Sequence, residues 1–579
     1  MADKRQLRIG HSLWPLGRHG SAWRLPRVHR LLEGDPQFYR DSVQTAERGL
    51  FDYFFLGSSE SARLPARQAQ TAEGGGFRAA DGARGIGGSG GPGADHYWTP
   101  NQLIKLESFT ATSFVAALSR NIGLAATFNT TYHHPYTIAR QAATLDHLSG
   151  GRAAINIVTG RADDAARNYG LPQQPDTDDR WERAEEFIKI LWSLWDGWED
   201  GWLINDKAGG VYIDPDRIRS SDFHGRFFDV AGPINIPPSP QRRIPLIVAG
   251  ASQRSFEFGA KYADVRFIPF ADRQAEYYRT QKDLAAGYGR NPDDYFLLPG
   301  ITFYVDETST GAHARFREVQ DLATPVYSAS ALGAVLGYDL TPFAQTDRVL
   351  DVVDLAAIPD AAWVVHRAIH GFGDEHITLA DLDHFVANMP FNQVPVVGSG
   401  TEVADWIEEQ FLDRKLDGVV VFPPFQPGAL DAFVDLVVPE LQRRGLFRTS
   451  YEGTTFRERL SGRSGRTVSR PATPVVTPEL VDAAEAVRRV AAGAALFDVR
   501  NTPTDPVDGA VPVAKDALVR AVAEAGIARH QPVVVYCGSI AGSGPAADAL
   551  SAAGWSQVSH VDGGYQAIRS VVADAVTSP

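Results

Sequence analysis

The chain reads as an α/β protein: a (β/α)8 barrel with insertions, followed by a small C-terminal α/β domain. Three observations lead there. Short apolar runs recur at 122–128, 153–159, 245–250, 265–269, 297–305 and 418–422. Longer segments of helical periodicity lie between and before them, as at 38–48, 183–195 and 255–262. The same alternation resumes after a break near residue 470. Strands apolar on both faces and separated by helices form parallel sheets covered on both sides. Over this length a closed barrel leads, and an open doubly wound sheet is the alternative.

The elements follow in order. The opening residues, MADKRQLRIG, lack the apolar stretch of a signal peptide. A strand at 53–56 precedes an insertion, 59–97, whose Gly- and Ala-rich sequence cannot supply a core. In a barrel it rises from the carboxyl face, as a mobile lid or a tolerated insertion. A second insertion, 312–390, carries helical segments and forms a subdomain beside the barrel. The barrel domain thus spans 1–461, a linker rich in Ser, Pro and Thr spans 462–477, and the second domain spans 478–579.

Composition bounds the function. A chain of 579 residues with 44% hydrophobic and 22% charged residues is globular and has more than one domain. Its net charge of −14, without a basic stripe, argues against a nucleic-acid surface. No apolar run approaches the ~20 residues a bilayer requires, so no membrane partner is expected. A single cysteine cannot form an intrachain disulfide, which fits a cytoplasmic protein. No metal site is expected, because the side chains of His133 and His134 diverge and no third ligand stands at standard spacing.

Several segments carry the chemistry. They are AERGLFDYFFLGSS (46–59), IGLAATFNTTYHHPYTIARQAATLDHLSGGRAAINIVTG (122–160), AARNYG (165–170), FHGRFFDVAGPINIPPSPQ (223–241), VAGAS (248–252) and VVPELQRRGLFRTSYEGTTFRERL (437–460). Taken in order, they resemble the bacterial-luciferase superfamily. Within it, they are most similar to the flavin monooxygenases of nitrilotriacetate, dibenzothiophene sulfone and long-chain alkanes. The resemblance implies a TIM barrel, reduced FMN as cosubstrate, O2 as oxidant and a separate NAD(P)H:flavin reductase.

Candidate cofactor residues come from both lines of reasoning. Ala251 and Ser252 end a strand that runs into a helix, where small residues let a phosphate reach backbone amides. Thr127 ends the third apparent strand and points a hydroxyl toward the barrel mouth. Against the family pattern, Ser58 stands where an aspartate is usual, and Thr177 and Trp181 stand where a histidine and a tyrosine are usual. These positions keep hydrogen bonding or a stacking face but lose charge or phenol. For proton handling, His134 in the run Tyr132–Tyr136 matches the family's His-Pro-Tyr, and capping is its structural alternative. His11 and His19 are further candidates.

Near the C-terminus, VVVYCGSIAGSGPAADAL places Cys537 between an apolar strand and an Ala-rich helix. Orphan amides and the helix dipole there favour a thiolate. With Asp498-Val499-Arg500 upstream and VDGGYQAI downstream, this segment resembles rhodanese-type sulfurtransferases. Their loop usually reads Cys-x-x-Gly-x-Arg-Ser, whereas here Ile540 replaces the glycine and Gly542 the arginine. Anionic sulfur donors lose a counter-charge in this loop. Cys537 is therefore either a sulfur carrier or a small apolar residue in a docking module.

The reading is an FMNH2-dependent monooxygenase component, acting on an organosulfur or other small organic compound and assembling as a homo-oligomer. Alternatives are an aminopolycarboxylate or alkane substrate with a docking tail, a flavin-binding protein without turnover, and a deazaflavin enzyme.

Overall fold

The structure, a computed structural model, describes residues 5–28, 34–61, 105–160, 163–250, 252–268, 274–322, 329–359, 361–388, 395–461, 478–500, 505–527, 531–538, 540–553, 555 and 557–577. Most of the Gly-rich insertion and the whole 462–477 linker therefore lie outside the described residues. The chain forms two compact units, Met1–Val468 and Ser469–Pro579.

In the first unit, nine parallel strands follow in chain order. They are β1 (Arg8–Ser12), β2 (Tyr53–Leu56), β3 (Gly123–Asn129), β4 (Ala153–Val158), β5 (Leu246–Val248), β6 (Val265–Ile268), β7 (Phe296–Asp306), β8 (Pro395–Ser399) and β9 (Gly418–Phe422). Pairing runs from β1 through β7 to β9 and back to β1, which closes an eight-stranded barrel. The eighth strand lies outside that ring. Val265 to Ile268 pair with the first four residues of β7, and above them Thr302 to Asp306 of β7 pair with β8. The open doubly wound alternative is excluded by this closure.

Helices cover the outside, each with a local reason to start. Asp35 caps Pro36–Arg48, Glu107 caps Ser108–Leu118, and Ser399 forms a full capping box with Glu402. Pro135 opens the helix Pro135–Ser149, which Gly150 ends in the left-handed region at φ 69°. Inside the barrel, small and large residues alternate. Ala125 and Ala154 leave room, while Tyr53, Phe296, Leu298 and Phe422 fill it. Gly10 is required there, since a Cβ would lie 2.4 Å from the Tyr53 ring.

The amino end of the barrel is sealed. A late helix, Phe456–Ser461, inserts Phe456 and Leu460 into the inner cluster, and a Cβ on Gly123 would lie 2.5 Å from the Phe456 ring. Three aspartates sit one residue before a strand and clamp the neighbouring strand. Asp52 accepts from Ile9 N at 2.7 Å, Asp264 from Leu246 N at 2.8 Å and Asp417 from Leu297 N at 2.9 Å. Each also meets a cation: Arg448 for Asp52, Arg457 for Asp264, and Lys282 with Arg5 for Asp417. Burial disfavours the Asp417 charge, but Lys282 and Arg5 outweigh it and hold its carboxyl below the usual range.

Between β7 and β8, the helices Ser309–Gln320, Ala329–Leu336, Ala362–Phe372 and Leu379–Asn388 share a core around Phe316. Tyr304 of β7 and Phe425 beyond β9 belong to that same core.

The second unit is a parallel five-stranded sheet. Its strands are β10 (Glu479–Val481), β11 (Ala495–Asp498), β12 (Val511–Pro512), β13 (Val533–Tyr536) and β14 (Val558–Val561), in the order β10-β14-β13-β11-β12. The central β13 is buried along its whole length and delivers Cys537 at its carboxyl end.

Candidate active site

The carboxyl mouth of the barrel gathers polar side chains from several strand ends. Register sets Thr127 of β3 beside Asn156 of β4. The Thr127 hydroxyl donates to the Leu56 carbonyl at 2.7 Å and accepts from Asn156 Nδ2 at 3.2 Å. Its backbone N–H donates to Ser108 Oγ at 2.8 Å, and that hydroxyl also donates to Leu56. Thr127 thus positions its neighbours and has no donor left over.

Two amide atoms remain unspent. Asn156 is 3% exposed, and its Oδ1 has no partner. Asn129 is fully buried; its Oδ1 accepts from Thr131 N at 3.0 Å, while Nδ2 has no partner. Each such buried orphan costs on the order of 1–3 kcal/mol unless a ligand satisfies it. Gly160, at φ 71°, is required beside Asn129, because a Cβ there would lie 2.9 Å from Asn129 Nδ2 and 2.8 Å from Gln174 Nε2. Neither asparagine was singled out from sequence. The available signal was an amide inside the 153–159 run and another immediately after the 122–128 run.

The remaining expected residues take varied places. Ser58 lies half-buried in the loop after β2. Two residues on, Glu60 brings a carboxylate whose Oε1 is buried and unpartnered. Ser252 caps the helix Gln253–Tyr262, accepting from Ser255 N at 3.3 Å. Beneath that turn, buried Arg266 donates to the Gly250 carbonyl at 2.7 Å and to Ser255 Oγ at 3.0 Å. Ala251 falls outside the described residues. Thr177, exposed at the start of the helix Thr177–Trp195, accepts from Arg180 at 2.9 Å. Trp181 is buried and packs on Phe258 with ring centroids 5.2 Å apart, so one face of its indole is taken by the core.

The histidines divide in the same way. His134 is exposed and caps Pro135–Ser149, its Nδ1 accepting from Tyr136 N at 3.3 Å and its ring edge-on to Phe228. Desolvation and then the Arg183 guanidinium lower its basicity, so it is neutral at pH 7. His133 faces Tyr169 and Phe128, with Nδ1 2.9 Å from the Asn129 carbonyl. His11 is wholly buried against Phe54, and burial drives it down to about 3. His19 holds Gln320 at 2.9 Å. On the β1 side of the mouth, two cations approach the Trp14 ring: Arg18 at 4.3 Å and Lys105 Nζ at 3.7 Å from its centroid. Burial lowers the Arg18 guanidinium to about 9.

A separate polar groove of about 790 Å³ lies at the amino end, lined by Arg243, Lys261, Asp264 and Arg457 among others. Arg243 pairs with Asp196 and Arg457 with Asp264 within the groove, and Lys261 pairs with Glu185 beside it. It belongs to the sealing network rather than to the mouth.

The sequence match decides what kind of barrel this is. Residues 56–411 match the luciferase-like monooxygenase description. The chain belongs to the luciferase-like monooxygenase family. A second match, to the rhodanese-like domain, covers residues 482–570. The N-acetyl-S-(2-succino)cysteine monooxygenase of Bacillus subtilis (strain 168) is 33% identical over 79% of this chain and 97% of its own length. Nitrilotriacetate monooxygenase component A of Aminobacter aminovorans is 34% identical over 83% of this chain and all of its own length. Among solved structures, a riboflavin lyase with modified FMN and riboflavin is similar at TM-score 0.61 and 28% identity, covering 79% of this chain and 96% of that one. In this luciferase-like chain no helix of the described residues is long and apolar enough to cross a membrane. No cluster of three metal-ligating side chains occurs among the described residues.

Proposed function

We propose that the first unit is the oxygenase component of a two-component flavin monooxygenase. It takes reduced FMN from a separate NAD(P)H:flavin reductase, uses O2, and oxidises a small organosulfur compound. The observation that carries the flavin reading is the pair of buried, unpartnered amide atoms, Asn129 Nδ2 and Asn156 Oδ1. One donor and one acceptor match a heterocycle edge that presents both kinds of group. The Ser252 turn, braced by Arg266, would hold the phosphate. When bound, the flavin supplies the oxygen-activating chemistry. The chain's own residues orient it and exclude water, and Thr127 fixes the Asn156 amide.

Support for the two-component arrangement comes from the relative named as a component A. Support for sulfur comes from the relative acting on an S-substituted cysteine and from the rhodanese-like domain on the same chain. Arg18 and Lys105 beside Trp14 favour a substrate that carries a negative charge. His134, turned to capping, is a positioning residue in this reading. Cys537 would carry sulfur released by the oxidation.

The test supplies the purified chain with NADH, a flavin reductase, FMN and air. A carboxylated thioether or a sulfone should be consumed with O2, giving a product in which a labelled oxygen atom is found. If all O2 consumed appears as hydrogen peroxide with every such substrate, the oxygenase reading fails.

A further inference from the structure

Residue 542 holds the position where rhodanese loops usually carry an arginine, and here it is glycine. The structure shows what has taken the space. A Cβ built on Gly542 would lie 2.5 Å from Cys537 Sγ and 3.0 Å from Lys515 Nζ. The thiol and the ammonium therefore flank one point. Lys515 arrives from a different segment, the short turn Lys515–Ala517 after the edge strand β12. It is exposed and, among the described residues, is paired with no carboxylate. Cys537 itself is 7% exposed at the edge of an apolar cluster, and its thiol donates weakly to the Val499 carbonyl at 3.7 Å. The helix Ile540–Ala552 begins three residues later.

We propose that Lys515 replaces the missing loop arginine as the counter-charge for sulfur transfer at Cys537. This rests on the reading of the second unit as a sulfur carrier. The substrate class is an anionic sulfane-sulfur donor: thiosulfate or a small organic persulfide. The Cys537 thiolate attacks the donor's sulfane sulfur, and a new S–S bond forms on the enzyme. The donor's own S–S bond breaks, and its electron pair leaves with sulfite or with the donor thiolate. The product, a Cys537 persulfide, carries one negative charge beside the Lys515 ammonium. No outside oxidant is needed, because the sulfane sulfur moves at constant oxidation state. Gly542 is part of the arrangement, since any side chain there would collide with the sulfur.

Charge-selective labelling of the full chain tests this. Cys537 is the only cysteine, so whole-protein mass spectrometry reads one site. At neutral pH, Lys515→Gln should slow alkylation by anionic iodoacetate more than by neutral iodoacetamide. The ratio of the two rates should fall on the order of 5-fold, as expected for one unit charge a few ångströms away. Lys515→Arg should retain the ratio, and salt near 1 M should erase the difference. Persulfide formation from thiosulfate should fall in parallel, without loss of thermal stability. An unchanged rate ratio in Lys515→Gln overturns the assignment of Lys515. A wild-type thiol that shows the charge effect but accepts sulfur from neither thiosulfate nor glutathione persulfide overturns the carrier reading instead. A thiol inert to both alkylators overturns both.

Discussion

The two ends of the barrel treat their polar groups in opposite ways. At the amino end, Asp52, Asp264 and Asp417 each bind a neighbouring strand amide and a cation, and Phe456 plugs the bore. At the carboxyl end, Asn129, Asn156 and Glu60 keep buried atoms with no partner. The strand-clamping carboxylates of one end are all paired, and the amides of the other end keep atoms unspent. On the proposed function, stability and ligand binding fall to different ends of the same strands, as βα barrels permit. Substitutions should separate the two.

The largest effect should come from the amino end. Asp417→Asn leaves Lys282 buried beside a neutral amide and should cost about 3–5 kcal/mol of unfolding free energy by denaturant titration. FMN affinity of the folded protein should stay within about 2-fold, since the site is remote. A comparable loss of FMN binding would erase the distinction between the ends.

The pH dependence follows from the same group. Its carboxyl is held below the ~3.9 of an unfolded aspartate, by Lys282 and Arg5 against burial. Its contribution is complete above that value and is lost as pH falls through the lower folded value. The stability gap between wild type and Asp417→Asn should therefore be wide at pH 7 and close below about pH 4. A gap that persisted unchanged at pH 3 would assign the stabilisation to something other than this charge.

At the open end, Asn156→Leu should weaken FMN binding on the order of 10-fold, the cost of one hydrogen bond at about 1.4 kcal/mol. The melting temperature should hold or rise, because a buried orphan is removed. Ser252→Asp should weaken FMN by a similar factor, by placing negative charge at the helix start, and unchanged affinity there would sink the phosphate assignment.

The smallest effect is expected at His134. Replacing it with alanine removes one cap, worth roughly 0.5–1 kcal/mol, while turnover by the neutral imidazole's neighbours should change less than about 2-fold. A loss of turnover with intact stability would return His134 to a chemical role.

The barrel was legible because its strands are continuous apolar runs. The expected 418–422 and 53–56 coincide with β9 and β2, and 265–268 of the expected 265–269 form β6, residue 269 lying outside the described residues. The site was less legible, for reasons of register. Thr127 was visible as a hydroxyl at a strand end, but not that the Leu56 carbonyl consumes its proton. Trp181 offered a stacking face in the sequence, and the pitch of its helix turns that face onto Phe258. The clamping aspartates had a signal that went unread: in each case an Asp stands immediately before a strand, as in FDYFFL, ADVRFI and LDGVVVF. Lys515 had none, because only the fold brings it across to Cys537.

The long seventh strand carries a mechanical consequence. Its lower edge belongs to β6 and its upper edge to β8, with Thr302 in register on both flanks, opposite Phe422 and opposite Pro395. The helical layer between β7 and β8 is therefore anchored at both roots to a strand that already holds the ring closed. Such a layer cannot hinge outward without tearing a parallel ladder of five residue pairs. It behaves as masonry, a parapet raised on the barrel wall. Backbone amides along Thr302–Asp306 should accordingly exchange with solvent as slowly as those of β9, whatever occupies the mouth.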